Sequence, residues 1–380
     1  MMEKDENKTV VVQEPIISEE TSKRITALRF LLAILVLFIH NNYTLKTIAD
    51  SVEQGSPNIL FCPNAFSKWT QMIISQGIAS SAVTLFYLFA AYLQARKADS
   101  YKVLLKKKCK GLLLPYVLWI GIYGFYFSFA KLIILKIAPS LVHTTDIPML
   151  SWTAMDWIRK IFGYGTYNGV PEFAAHFWFV RDLFILVLIS PILQFLIKKF
   201  KYGFLILAFV AYIFDVNIYF IHIEALFFYT CGLYWGYYNF DLMKIIDEIK
   251  YSEAIAIFLF CFLGEYIFFE EGGPMMHFKH ISTCFIFLKL SLNIISKPKL
   301  YKVAAYLSGF SFFLYAIHMP LLNEFLKKAW IHFFPMKNGF FCLFEYFGVT
   351  ALTIVIGTGI GIALKKICLP LFALLNGGRK

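Results

Sequence analysis

Runs of about 20 apolar residues recur along the chain, and each is long enough to cross a bilayer core as a helix. Unpaired backbone groups in lipid permit only helices or closed barrels. The short alternating strands of a barrel are absent. The pattern therefore predicts an all-α fold, a polytopic membrane helix bundle of about ten transmembrane helices. They fall over 25–44, 73–95, 111–136, 175–197, 203–216, 219–238, 253–270, 278–295, 303–326 and 342–364, the fifth being the shortest. No internal repeat is visible, so an inverted-repeat transporter is not suggested.

Charge gives the bundle an orientation. The stretch "RKADSYKVLLKKKCK" at 96–110 carries seven Lys and Arg, and further clusters stand at Lys198–Lys201, Lys244–Lys250, Lys297–Lys302 and near the C-terminus. With both termini cytoplasmic and an even number of spans, most of the 36 basic residues fall on the inner side. The net charge of +12 follows from this bias and does not call for nucleic acid, of which no module is recognisable. The organisation expected is a disordered cytoplasmic tail over 1–22, a transmembrane domain over 23–368 and a short cytoplasmic tail over 369–380. The N-terminal residues lack the basic-then-apolar layout of a cleavable signal, so the first span serves as an uncleaved anchor in the cell (inner or plasma) membrane. With 59% hydrophobic residues, a multi-pass protein is the economical reading. The seven cysteines, Cys62 among them, are scattered and suggest neither a disulfide framework nor a zinc site. Two outer connections, 45–72 and 137–174, are long; the second is either an interfacial amphipathic segment or a packed loop.

Ionisable residues inside a bilayer are costly and tend to mark function. Arg29 and His40 lie in the first span, eleven positions apart. At 100° per residue they share one stripe, separated by about 16 Å along the axis. In the ninth span Ser308, Ser311, Tyr315 and His318 occupy an arc of roughly 80° on an otherwise apolar cylinder. Pro320 follows, freeing a backbone carbonyl one turn earlier. The two serines read as helix–helix contacts, His318 as a functional group. At the mouth of the fourth span, "HFWFVRDL" places Trp178, Arg181 and Asp182 together with His176 beyond them. Arg181 and Asp182 are either a structural ion pair or part of a site. His277 and His280 are spaced for a metal pair but lack a third ligand, so no metal is expected. Glu270-Glu271 reads as a solvated turn, and no phosphate loop or nucleophile elbow is present.

Taken in order, these stretches resemble the acyltransferase-3 family of integral-membrane acyltransferases, over roughly residues 22–365. Arg29 and His40 match the family's Arg-x10-His pattern. "AVTLFYLFAAYL" resembles its second span, with Ala90-Ala91 where a Ser-Gly is usual. "KKKCKGLLLPYVLW" resembles the basic approach to a third-span proline, though with lysines where arginines are common. "HFWFVRDL" and "SGFSFFLYAIHMPLL" match the fourth-span and late-span signatures. The chain ends soon after its last span, so the membrane domain is expected to act without a fused extracytoplasmic hydrolase-like domain.

The resemblance implies transfer of an acyl group, most often acetyl, from cytoplasmic acyl-CoA to a hydroxyl of an extracytoplasmic polysaccharide or lipid-linked sugar. On that reading acetyl-CoA is the donor. Its phosphates would meet Arg29 and the basic segment of Lys106, Lys107, Lys108 and Lys110. His40 serves either as general base or as acyl-accepting nucleophile, and the sequence leaves both open. His318 and Tyr315 would orient His40 or stabilise the oxyanion. Trp178, Arg181 and Asp182 would hold the sugar or lock an outer gate. A transporter or flippase of a lipid-linked sugar, without covalent chemistry, would also place Arg and His along a path. So would a scaffold in which these residues only hold helices together.

Overall fold

A computed structural model describes residues 17–42, 64–97, 99–163, 171–219, 221–268 and 273–379. The helices, in chain order, are α1 (Glu19–Asn41), α2 (Ala65–Ala95), α3 (Tyr101–Ile137), α4 (Ala154–Ile161), α5 (Ala175–Phe200), α6 (Tyr202–Ile213), α7 (Ile223–Tyr237), α8 (Leu242–Glu248), α9 (Tyr251–Phe268), α10 (Gly273–Ile295), α11 (Pro298–Ser308), α12 (Ser311–Phe333), α13 (Gly339–Ile367) and α14 (Leu369–Leu375). No β-strand occurs among the described residues. Among the described residues each of the ten apolar runs overlaps a helix. Six helices (α2, α3, α5, α9, α10 and α13) are long and apolar enough to cross a membrane, and α11 with α12 makes a seventh if counted as one bent span. Large apolar side chains such as Phe125, Phe195, Phe260 and Val355 point outward, as they can where lipid is the solvent. The protein is a polytopic helical membrane bundle. Cys62 and the Glu270-Glu271 turn lie outside the described residues.

Three elements depart from the apolar runs, each for a local reason. α3 begins at Tyr101, ten residues before its apolar stretch, because the lysine-rich segment is itself a good helix former. Its turn Cys109–Leu113 is π-helical, just ahead of Pro115, which has no N–H to offer the Gly111 carbonyl. α6 has 12 residues, about 18 Å of helix, too short to cross alone. α11 and α12 meet at an angle of 51° around Gly309-Phe310. A second irregularity follows at Met319, whose backbone is extended (φ −123°, ψ 154°) inside an otherwise helical run. The Ala316 carbonyl, one turn before Pro320, accepts a hydrogen bond from the Tyr123 hydroxyl at 2.6 Å. A side chain from α3 thus satisfies the carbonyl that proline leaves without its helical donor. Non-helical backbone at membrane depth requires such protein partners.

In the long connection before α5, α4 is a short amphipathic helix. The Thr153 hydroxyl accepts from the Asp156 N–H and the Asp156 carboxylate accepts from the Thr153 N–H, a reciprocal cap. The Thr153 hydroxyl also donates to the Asp156 carboxylate at 2.7 Å, and this bond, with the Thr153 N–H and with Arg159 and Lys160 nearby, holds the Asp156 carboxyl below its usual range. Trp157 packs against Gly124 of α3, where any side chain would meet its ring at 2.8 Å.

Helix pairing in this bundle depends on small residues. α7 lies against α2 with Gly232 and Gly236, one turn apart, facing Ala91 and Ala95. A Cβ on Gly232 would stand 2.3 Å from the Leu88 carbonyl oxygen, and one on Gly236 would stand 2.6 Å from the Ala95 Cβ. This is the small-xxx-small contact by which helices approach closely in lipid. It also accounts for alanine at position 91, since its Cβ would lie 2.8 Å from a Cβ at Gly232. Gln94 then ties three helices together, donating to the Ser190 hydroxyl at 3.0 Å and accepting from the Tyr229 hydroxyl at 2.7 Å.

α1 touches α2, α10, α11, α12 and α13. Its cytoplasm-proximal end in the sequence reading is anchored by Arg24, which is fully buried. The guanidinium makes a bidentate pair with Asp247 of α8 at 2.6 and 2.8 Å and donates to the Ser291 hydroxyl and the Leu288 carbonyl, both at 2.9 Å. Removing one member of such a pair leaves the other uncompensated, typically at a cost of about 3 kcal/mol or more. Arg24→Met is expected to lower the detergent-solubilised unfolding temperature by several degrees, and an unchanged melt would contradict the anchoring role.

Candidate active site

Three histidines from three helices converge. His40 lies at the last turn of α1, His176 at the first turn of α5, and His318 where the regular part of α12 gives way to the break at Met319. The ring centres are 5.2 Å apart for His40 and His318, 4.9 Å for His176 and His318, and 6.4 Å for His40 and His176. His176 and His318 are buried, and His40 is partly so.

Backbone contacts set the state of this trio. His318 Nδ1 lies 2.5 Å from the Tyr315 carbonyl oxygen. A carbonyl only accepts, so Nδ1 must carry the proton and Nε2 of the neutral ring holds the lone pair. That Nε2 is buried with no hydrogen-bond partner among the described residues. The Tyr315 hydroxyl donates to the His176 carbonyl and its ring packs against both His176 and His318, with centres 5.1 and 5.9 Å away. Tyr315 therefore fixes the backbone of one histidine through its hydroxyl and the tautomer of another through its carbonyl. The His40 carbonyl accepts from Lys327 Nζ at 2.9 Å and from Asn323 Nδ2 at 3.3 Å. Both donors come from α12 just beyond its break.

Arg29, the other half of the first-span pair, stands at one end of a cavity of about 370 Å³. Arg29, Lys97, Lys107, Lys108 and Arg379 bring five cationic groups to its lining, against one carboxylate, Asp99. Asp99 is itself paired with Lys107 at 2.7 Å. Beyond the charges the walls turn apolar, with Val36, Phe86, Phe89 and Leu183, and Tyr315 forms part of the lining. The histidine trio lies directly behind that tyrosine ring. Arg29, Val36 and His40 thus follow one another along α1, the first two on the cavity lining and the third in the histidine cluster behind Tyr315.

The predicted residues divide into two groups. His40, His318 and Tyr315 meet in one cluster, and Arg29, Lys107 and Lys108 meet on the cavity wall. Lys106 and Lys110 are exposed and do not line it. Trp178, Arg181 and Asp182 point away from the cavity that their neighbours Phe179, Val180 and Leu183 line. Asp182 is buried and accepts from Arg181 at 2.6 and 2.9 Å and from the His222 N–H at 3.1 Å, with His222 Nδ1 at 2.6 Å. Trp178 packs over the His222 ring at 4.3 Å. The Arg181–Asp182 pair is thereby satisfied within the protein, and Arg181 with His222 borders a separate cavity of about 230 Å³. His280 faces Glu224 at 3.3 Å and His277 packs on Tyr212. Among the described residues no group of three or more His, Cys, Asp or Glu side chains, the histidine trio included, is placed to hold a metal ion.

Sequence reasoning passed over His176 as a site residue, and over Asn323, Lys327, Lys97 and Arg379. A signal for two of them was present: Asn323 and Lys327 are polar residues one turn apart immediately after the proline of a membrane helix. Comparison with known proteins covers the same ground. A search of curated proteins and one of solved structures find no match. The acyltransferase-3 family model, described as an acyltransferase domain, matches residues 22–365. That stretch contains the histidine trio, Arg29 and the basic first turns of α3, and the chain belongs to the acyltransferase-3 family of membrane acyltransferases.

Proposed function

We propose that the protein moves an acyl group, acetyl in the first instance, from cytoplasmic acyl-CoA to a hydroxyl of an extracytoplasmic polysaccharide or lipid-linked sugar. With both termini in the cytoplasm, the cationic side of the cavity faces inward and the trio lies toward the outer side. The observation that carries this reading is the cavity itself: five cationic groups and an apolar wall share one lining, and that lining includes the tyrosine that backs the histidines. A coenzyme A thioester has that layout, with phosphates at one end and an uncharged arm leading to the reacting carbonyl.

The Nε2 lone pair of His318 takes the proton of the acceptor hydroxyl as general base. The hydroxyl oxygen attacks the thioester carbonyl carbon, the C–S bond breaks, and the thiolate of coenzyme A leaves and is reprotonated. His40, with its ring centre 5.2 Å away, shares the acceptor hydroxyl and steers it to that lone pair. Lys327 and Asn323 hold His40 in place through its carbonyl. Tyr315 acts as a positioning residue, because its hydroxyl proton is already committed to His176.

Membranes containing the chain, incubated with acetyl-CoA labelled in the acetyl group, are expected to place label in surface glycan or glycolipid. Membranes without it should not. Label that stays in coenzyme A, while a lipid-linked sugar still changes leaflet, would replace the transferase by a flippase.

A further inference from the structure

Residues 369–379 lie beyond the stretch that matches the family and read in the sequence as a tail. In the structure they are part of the bundle. Phe372 of α14 is fully buried between Phe310 and Phe313, with ring centres 5.5 and 5.7 Å away. The Trp119 indole N–H donates to the Leu375 carbonyl at 3.0 Å. Asn376 is fully buried; its Nδ2 donates to the Gly309 carbonyl at 2.8 Å and its Oδ1 accepts from the Phe313 N–H at 3.1 Å. Asn376 thus bonds both sides of the angle between α11 and α12. Gly377 and Gly378 then turn the chain in the left-handed region (φ +69° and +78°). A Cβ on Gly377 would meet the Gly111 carbonyl oxygen at 2.5 Å, so no other residue fits that turn.

The turn delivers Arg379 to the cavity wall that Arg29 also lines. The guanidinium stacks over Phe312 with its carbon 5.2 Å from the ring centre, and one nitrogen donates to the Asn376 carbonyl at 3.2 Å. The surrounding protein and the neighbouring Arg29 lower its pKa to about 10, so it stays charged at neutral pH. The cavity lining holds no carboxylate for either arginine: Asp99 belongs to Lys107. Two guanidinium groups aimed at one space without a counter-charge among the described residues repel each other, and a multiply charged anion relieves that repulsion. Planar guanidinium groups also grip phosphate oxygens in pairs, which lysines do not.

We propose that Arg379 is a phosphate-binding residue of the acyl-donor site, acting with Arg29 on the diphosphate of a coenzyme A thioester. The proposal rests on the acyl-CoA reading, and the residues past the matched domain complete the site. The diphosphate chemistry is shared with a lipid-linked diphosphate, so the test separates the two. The full chain, purified in detergent, is titrated with coenzyme A, with pantetheine and with inorganic diphosphate. Arg379→Gln is expected to weaken coenzyme A binding roughly 10- to 100-fold, the range for losing a charge-assisted bond. Pantetheine, which has no phosphate, should bind both forms alike, and Arg379→Lys should recover part of the loss. Equal coenzyme A affinity in wild type and Arg379→Gln would overturn the assignment while leaving the donor reading intact. An equal loss for pantetheine would also overturn it, by showing that the variant disturbs the cavity as a whole. Arg379-dependent binding of inorganic diphosphate, with none of coenzyme A by the wild type, would overturn the donor reading itself in favour of another diphosphate ligand.

Discussion

His318→Asn is expected to abolish acyl transfer almost completely, with a loss of about 10²- to 10⁴-fold, while the protein still folds and inserts. The asparagine amide can replace Nδ1 as donor to the Tyr315 carbonyl, so the local backbone keeps its partner. What disappears is the lone pair on Nε2, and an amide is no base. His40→Ala is expected to fall in the same range. Because the two rings lie 5.2 Å apart and serve one hydroxyl in the proposed step, the double variant should lose little more than either single one, as residues acting as a unit do. The measurement is initial rate of label transfer from acetyl-CoA in membranes matched for protein content. Retention of more than about a tenth of the wild-type rate by His318→Asn would move the base elsewhere.

Gly232→Leu is expected to do more harm to the molecule than any substitution at the trio. A first carbon on Gly232 already stands 2.3 Å from the Leu88 carbonyl oxygen, within the backbone of α2. Backbone cannot rotate away as a side chain can, so α7 must withdraw. Withdrawal pulls Tyr229 from Gln94 and leaves Gln94, part of the cavity lining, held by Ser190 alone. Overpacking of this kind commonly costs 1–3 kcal/mol in a soluble core, and helix pairs in lipid have few other forces to resist it. The variant should be recovered in low yield, and its gel-filtration profile in detergent should broaden. Gly121→Leu is the control, since nothing lies within 4 Å of a carbon placed there.

Much of the site could be read in the sequence because it rests on helical periodicity. Arg29 and His40 fall on one stripe by arithmetic alone, and the polar arc ending at His318 was visible for the same reason. What periodicity could not supply was rotation against neighbours. Lys106, Lys107, Lys108 and Lys110 look equivalent as a string, yet Lys106 and Lys110 each sit about 200° around the helix from Lys108, and they face outward. Arg181 and Asp182 look like a site for the same reason in reverse. Their partner, His222, is 40 positions away, and only the fold reveals that it completes the pair. Arg379 was invisible because its importance comes from a glycine turn that folds the chain back on itself. The bundle itself was legible, since lipid exposure leaves so few alternatives, whereas the bend between α11 and α12 depends on a contact from α14 and the break at Met319 on one from α3.

Arg24 and Arg29 stand five positions apart on one helix, yet the first is clamped by Asp247 and the second is left open to the cavity. A clamped helix is a ruler. It holds the anion-gripping group and the reactive rings at a set spacing, about 16 Å of rise between Arg29 and His40. On the proposed function, the donor would span that gap with its own covalent arm, as a coenzyme A thioester does and acetyl phosphate does not. Selection among activated acyl compounds would then be made by length, before any contact with the acyl group itself.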